Sequence, residues 1–238
     1  MNIFVVNKST VLEDAQVQNW LPAFNVYVDH VCEWWPRSVM LLWCPRDKEP
    51  ELAWKLVFAD TSDEAGDLGY HDFTADGRPV SYVFAADVKK DGSSITATAT
   101  HEIAEMIADP WISETVQVSD KRFFAKEICD PCEADEFAYS IRVRPFPAIK
   151  VSDFVLPKWF IPGSTGQFDR HKKIDRPLQI LPGGYMSVYT PGRGWLQMGA
   201  SKSGRVAARG DDPKGKGRYG RLTKYGRARP VRLAWPDD

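Results

Sequence analysis

Residues 91–120 contain no Lys or Arg, and within them lies a segment suited to one local structure. Asp91-Gly92-Ser93-Ser94 supplies N-cap chemistry and a helical pattern follows. Asp109-Pro110 stops it, because proline has no N–H to continue the hydrogen-bond ladder. At about 100° per residue, Ala99, Ile103, Met106 and Ile107 share one face and form a core stripe. His101 and Glu105, four apart, meet on the opposite side with Ala97, Ala104 and Ala108 around them. A solvated face would mix Lys or Arg with Glu. This one is acidic and flanked by small residues, so the pattern predicts a helix covered on both sides. A covered acidic face is costly without a compensating cation.

A divalent ion would resolve that conflict. An imidazole at 101 and a carboxylate one turn later can both reach one zinc ion, and the adjacent Glu102 can act as general base on a water held there. The motif is H-E-x-x-E, with Glu105 where the familiar H-E-x-x-H has its second His. The plainer alternative is the polar face of a structural helix, since ordinary helix composition produces this pattern readily. Downstream runs Lys126-Glu127-Ile128-Cys129-Asp130-Pro131-Cys132-Glu133. Its Glu127 and Asp130, three apart, could turn one carboxylate toward the helix as a third ligand. Cys129 and Cys132 have C-x-x-C spacing and could form half of a structural zinc site with Cys32 and Cys44. Those two lack the paired close spacing such sites favour, and two buried free thiols are the simpler reading. No βαβ pattern surrounds the pair to support a redox role.

The rest of the chain reads as α+β. Residues 25–29, 38–43, 53–59 and 80–85 are β-branched and aromatic runs between charged or Pro-containing turns, which predicts strands. Residues 63–72, rich in Gly and Asp, predict a loop entering a short extended segment. Beyond the helix the chain is rich in Pro and aromatics and is expected to be irregular. The longest apolar runs, such as Val39-Met40-Leu41-Leu42-Trp43, are too short to cross a bilayer. The N-terminus lacks the features of a signal peptide, and four cysteines do not suggest a disulfide scaffold, so a cytoplasmic protein is expected.

Charge divides the chain. Residues 200–238 hold eleven Lys and Arg against four Asp, a net of +7, which leaves −8 for the remainder of a chain whose total is −1. Large apolar residues become scarce near residue 200. The expected organisation is therefore one domain over residues 1–200 and a basic Gly/Lys/Arg-rich tail over 201–238. Lys214, Lys216, Arg218, Arg221, Lys224, Arg227 and Arg229 could neutralise phosphates, with Tyr219, Tyr225 and Trp235 available to stack on bases. Nucleic acid, another protein such as those of a virion, or the acidic body of the chain itself are the expected partners of such a tail; a solubilising extension is the bland alternative.

The run from His101 to Pro110, His-Glu-Ile-Ala-Glu-Met-Ile-Ala-Asp-Pro, with the later Glu127-Ile-Cys-Asp130, resembles a zincin-like family of bacterial and phage proteins. It is more distantly similar to exordium-type secreted proteins, which share a His-Glu-Leu-x-Glu-x-x-Thr-Asp-Pro helix and a later Glu-Ile-x-Asp. Leu68-Gly-Tyr-His-Asp72, the Asp76-Gly-x-Pro79 turn, Val151-Ser-Asp-Phe-Val155 and Leu181-Pro-Gly-Gly-Tyr185 extend the likeness over most of residues 1–200. The resemblance implies a zincin-like domain with a mixed sheet packed on the H-E-x-x-E helix, and a zinc-dependent metallopeptidase acting on a peptide or protein substrate. His101 and Glu105 would be ligands, Glu102 the general base, Glu127 the third ligand and Asp130 its competitor or supporting partner. His71 would orient substrate or stabilise an oxyanion, the alternative being a loop histidine with its hydrogen bonds satisfied. His30 and His171 attract no functional reading. A structural protein of a phage particle or nucleic-acid assembly, using the same scaffold and anchored by the tail, is the second expectation.

Overall fold

The computed structural model of the chain describes residues 1–63 and 66–211. The fold is α+β. Strands β1 (Asn2–Asn7), β2 (Met40–Cys44), β3 (Trp54–Ala59), β4 (Gly69–Phe73) and β5 (Pro79–Phe84) form one sheet in the order β2-β1-β3-β5-β4. β1 pairs in parallel with β2 and β3, and β3 with β5. β4 runs antiparallel to β5 and closes the sheet as an edge. The sheet is thus mixed.

Helix α1 (Asp14–Cys32) packs on β2, a short α2 (Ala85–Asp91) follows β5, and α3 (Ile95–Ala108) packs on β4, β5 and α1. Val17, Trp20, Phe24, Tyr27, Val28 and Val31 of α1 recur at intervals of three and four. They join one core with Ile3 and Val5 of β1, Leu56 and Phe58 of β3, and Val83 of β5. Each such side chain contributes about 1.5–3 kcal/mol when taken fully out of water. That stripe overrides the local signals: residues 25–29, expected as a strand, lie inside α1, and so does Pro22.

The region after α3 is more ordered than its composition suggests. β6 (Thr115–Ser119), β7 (Arg122–Ala125), β10 (Tyr185–Thr190), β11 (Gly194–Ala200) and β12 (Val206–Asp211) build a second, antiparallel sheet in the order β12-β11-β10-β7-β6. β12 carries it past residue 200, so folded structure continues beyond the boundary that composition suggests. Between β7 and β10, β8 (Tyr139–Ile141) and β9 (Ile149–Val151) pair with each other, and β9 packs on α3. No helix among the described residues is long and apolar enough to cross a membrane.

A buried carboxyl pair joins two of the late segments. Asp153 and Asp169 are both fully buried. Asp153 Oδ1 accepts N–H bonds from Phe154 at 2.8 Å and His171 at 3.0 Å. Its Oδ2 receives no donor from the described residues and faces the carboxyl of Asp169. Burial, reinforced by Asp169, pushes the Asp153 pKa well above the carboxylate range, although the two N–H donors oppose the shift. A proton held between the two carboxyls would satisfy the pair. From about pH 4 upward the unfolded chain releases a proton that the folded chain keeps, so stability falls as pH rises through that window. Asp153→Asn can donate to Asp169 without a proton to lose. Thermal denaturation at pH 5 and pH 8 should show the native chain losing stability between them, with Asp153→Asn more stable at pH 8 by about 1–3 kcal/mol. An unchanged pH profile in the variant would contradict the shared proton.

Candidate metal centre

Helix α3 begins as its sequence directs: Ser94 caps it, accepting the Ala97 N–H at 3.2 Å. Both of its faces are covered. Ala99, Ile103, Met106 and Ile107 enter the core, and on the other side Glu102 and Glu105 are 3% and 0% exposed. Small residues permit this approach. A Cβ on Gly69 of β4 would lie 2.9 Å from Tyr82 O, 3.0 Å from Thr98 Cγ2 and 3.2 Å from Glu102 Cγ, so glycine lets the edge strand lie against the motif.

Three stretches of chain converge on Glu105. From α3 itself, His101 Nε2 lies 3.2 Å from Glu105 Oε1. From the 3-10 turn at Asp130–Cys132, Asp130 Oδ1 lies 3.3 Å from the same nitrogen. From β4, His71 Nδ1 lies 3.7 Å from Glu105 Oε2 and 3.9 Å from Glu102 Oε2. The Cys129 N–H points at Glu105 Oε1 at 3.4 Å. Donor atoms of His101, Glu105 and Cys129, of His71, Glu105 and Glu127, and of His101, Asp130 and Glu133 form three groups whose members lie within 4.8 Å of one another.

These donors could hold a divalent metal ion. Bonds of about 2.0–2.2 Å around a tetrahedral ion place neighbouring ligand atoms about 3.3–3.6 Å apart. The two contacts of His101, 3.2 and 3.3 Å, are close to that edge length. His101 is nearly buried, and burial alone would lower its pKa; Glu105 and Asp130 outweigh it and lift the pKa well above the usual imidazole value. A proton and a metal ion therefore compete for this ring. Cys129 is the weakest donor, because burial holds its thiol protonated far above the usual range.

The sequence-predicted residues of the first two hundred positions are thus largely brought together. Glu127 and Asp130, read as rivals for one place, stand in different groups: Glu127 with His71 and Asp130 with His101. His71 is fully buried and faces Glu102 and Glu105. The C-x-x-C reading gains nothing, since among the described residues no metal group joins Cys129 and Cys132 to Cys32 or Cys44. The basic residues Lys214, Lys216, Arg218, Arg221, Lys224, Arg227 and Arg229 lie outside the described residues.

Two supports escape a reading by sequence alone. Asp109 is more than a stop signal. Its carboxyl accepts the N–H groups of Ser113 at 3.0 Å and Glu114 at 2.8 Å, and its carbonyl lies 3.1 Å from His71 Nε2. A carbonyl only accepts, so Nε2 carries the hydrogen and Nδ1 is left as the nitrogen facing the carboxylates. Burial raises the Asp109 pKa to about 6 despite those N–H donors. Gly184 is the second support. A Cβ there would lie 2.6 Å from Pro131 O and 2.8 Å from Asp130 O, and Leu181 N–H donates to Pro131 O at 2.8 Å. The Leu-Pro-Gly-Gly-Tyr segment therefore sits directly behind the turn that presents Asp130. Comparison with protein-family models, with curated proteins and with solved structures finds no match to this chain.

Proposed function

We propose that the chain is a zinc-dependent hydrolase with a zincin-like domain, acting on peptide bonds. The observation that carries this reading is that His101 Nε2 stands 3.2 Å from Glu105 Oε1 and 3.3 Å from Asp130 Oδ1, the separations of zinc ligands, with Glu102 next to it in the chain. A mixed sheet laid on the helix that carries the motif also agrees with the architecture the resemblance implies.

Bound zinc would supply Lewis acidity toward a water molecule and a scissile carbonyl. Glu102 would take the proton from that water and pass it to the departing amine, which requires a carboxylate close to the ligands but not committed to them. Its placement against Gly69 limits the directions in which it can swing. His71, with its Nε2–H held by the Asp109 carbonyl, orients Glu102 and Glu105 from behind.

The test is Glu102→Gln in the full chain, assayed on a peptide library beside its zinc content. Zinc should remain while hydrolysis falls by about 10²–10⁴-fold. Hydrolysis equal to that of the native chain would remove Glu102 from the mechanism. A second reading has its own support: Glu105, Glu127 and Asp130 are 0%, 4% and 1% exposed, as expected of an ion that staples a fold. In that reading the domain is a structural part of a phage particle or nucleic-acid assembly, zinc removal destabilises it, and no peptide is cleaved.

A further inference from the structure

The donors around Glu105 exceed what one ion needs, and they divide. Glu105 presents Oε1 to His101, which also meets Asp130, and Oε2 to His71, which is grouped with Glu127. Among the described residues no group of mutually close donors contains both imidazoles. The division follows the chain. The first side is built by α3 and the turn at Asp130–Cys132. The second is built by edge strand β4 and by Glu127, which precedes that turn.

The number of donors points the same way. Glu102, Glu105, Glu127 and Asp130 are all at most 4% exposed, so four carboxyl side chains share one interior. With the two imidazoles they offer more donor side chains than one four-coordinate ion takes. His71 is also held as a ligand would be. The Asp109 carbonyl takes its Nε2–H at 3.1 Å and aims Nδ1 at the carboxylates. A backbone carbonyl on the far nitrogen is the usual outer support of a metal-bound histidine.

We propose that the site holds two divalent cations bridged by Glu105, one on His101, Glu105 Oε1 and Asp130, the other on His71, Glu105 Oε2 and Glu127. This rests on the metal-site reading above and adds a second ion to it. Paired ions of this kind stand about 3.5–4 Å apart, a separation that the two oxygens of one carboxylate can bridge. The mixed imidazole and carboxylate donors suit zinc and manganese alike.

Equilibrium dialysis of the full chain against Zn²⁺, and electron paramagnetic resonance of the Mn²⁺-loaded chain, test the proposal without an activity assay. The native chain should bind two equivalents, and His71→Ala and Glu127→Gln one each. The two Mn²⁺ ions should give an exchange-coupled spectrum that becomes an isolated six-line signal in either variant. Glu127→Gln keeps the side-chain volume, so it decides the matter if His71→Ala does not fold. One equivalent in the native chain, unchanged by either variant, would overturn the second ion and leave the single-zinc reading standing. No bound metal would overturn both. Two equivalents with uncoupled spectra, or two retained in Glu127→Gln, would place the second ion elsewhere and overturn the bridge.

Discussion

Glu105→Gln should abolish the zinc response expected of the proposed metal centre. The native chain, at a free zinc concentration about a thousandfold above its dissociation constant, should gain about 4 kcal/mol over the chelated form. For a protein of this size that is roughly 8–16 °C in Tm. Glu105 is fully buried and faces His101 with one oxygen and His71 with the other. The Gln side chain keeps the volume but removes the charge, and one of the two faces becomes a donor. Without metal the variant should be less stable than the native chain, because His101, which Glu105 helps keep charged, loses a buried partner. Only the native chain should shift between zinc and chelator when Tm is measured in both. An equal zinc-induced shift in Glu105→Gln would place the metal away from α3.

Gly184→Ala damages the centre without touching a ligand. Its Cβ would lie 2.6 Å from Pro131 O and 2.8 Å from Asp130 O and Pro131 C, all backbone atoms that have no rotamer to change. Overpacking of this kind costs about 1–3 kcal/mol. The strained segment carries Asp130, so zinc affinity should also fall by about 10–100-fold, the loss usual when the support behind a ligand is disturbed. Gly192→Ala is the control. Gly192 has a φ of +82° and no atom within 4 Å of an added Cβ, so alanine there strains the backbone and leaves the metal alone. Zinc titrations of both variants separate the two effects. Equal affinities would show that the turn relaxes without moving Asp130.

How much of this was legible depended on how local each signal is. The H-E-x-x-E pair is four residues apart in one helix, and its cap and stop flank it, so α3 and the meeting of His101 with Glu105 follow from spacing alone. β2, β3 and β5 are short apolar runs between turns and were similarly visible. α1 was not, because Pro22 and the run Val26-Tyr27-Val28 locally favour extended chain. Its helical stripe emerges only over the whole span from Val17 to Val31. The second sheet was hidden by the Pro- and Gly-rich connections around β10 and β11.

Within the site, the difference is between contacts along the chain and contacts across it. His71 meets Glu105 because β4 folds back on β5, pairing His71 with Ser81, while Ser81 Oγ donates to Glu102 O at 3.3 Å across the helix. No spacing rule encodes that. Glu127 and Asp130 could not be told apart because they are three residues apart in a non-helical turn, where spacing does not fix direction. The structure groups Glu127 with His71 and Glu105, and Asp130 with His101 and Glu133.

The most direct test is elemental analysis of the full chain purified without chelator, beside His101→Ala and Asp130→Asn, with circular dichroism to verify folding. Zinc bound at one equivalent or more in the native chain and lost from the His101 side in both folded variants is the predicted result. A native chain that takes up no divalent metal, or folded variants that retain all of it, would contradict a metal centre at His101, Glu105 and Asp130.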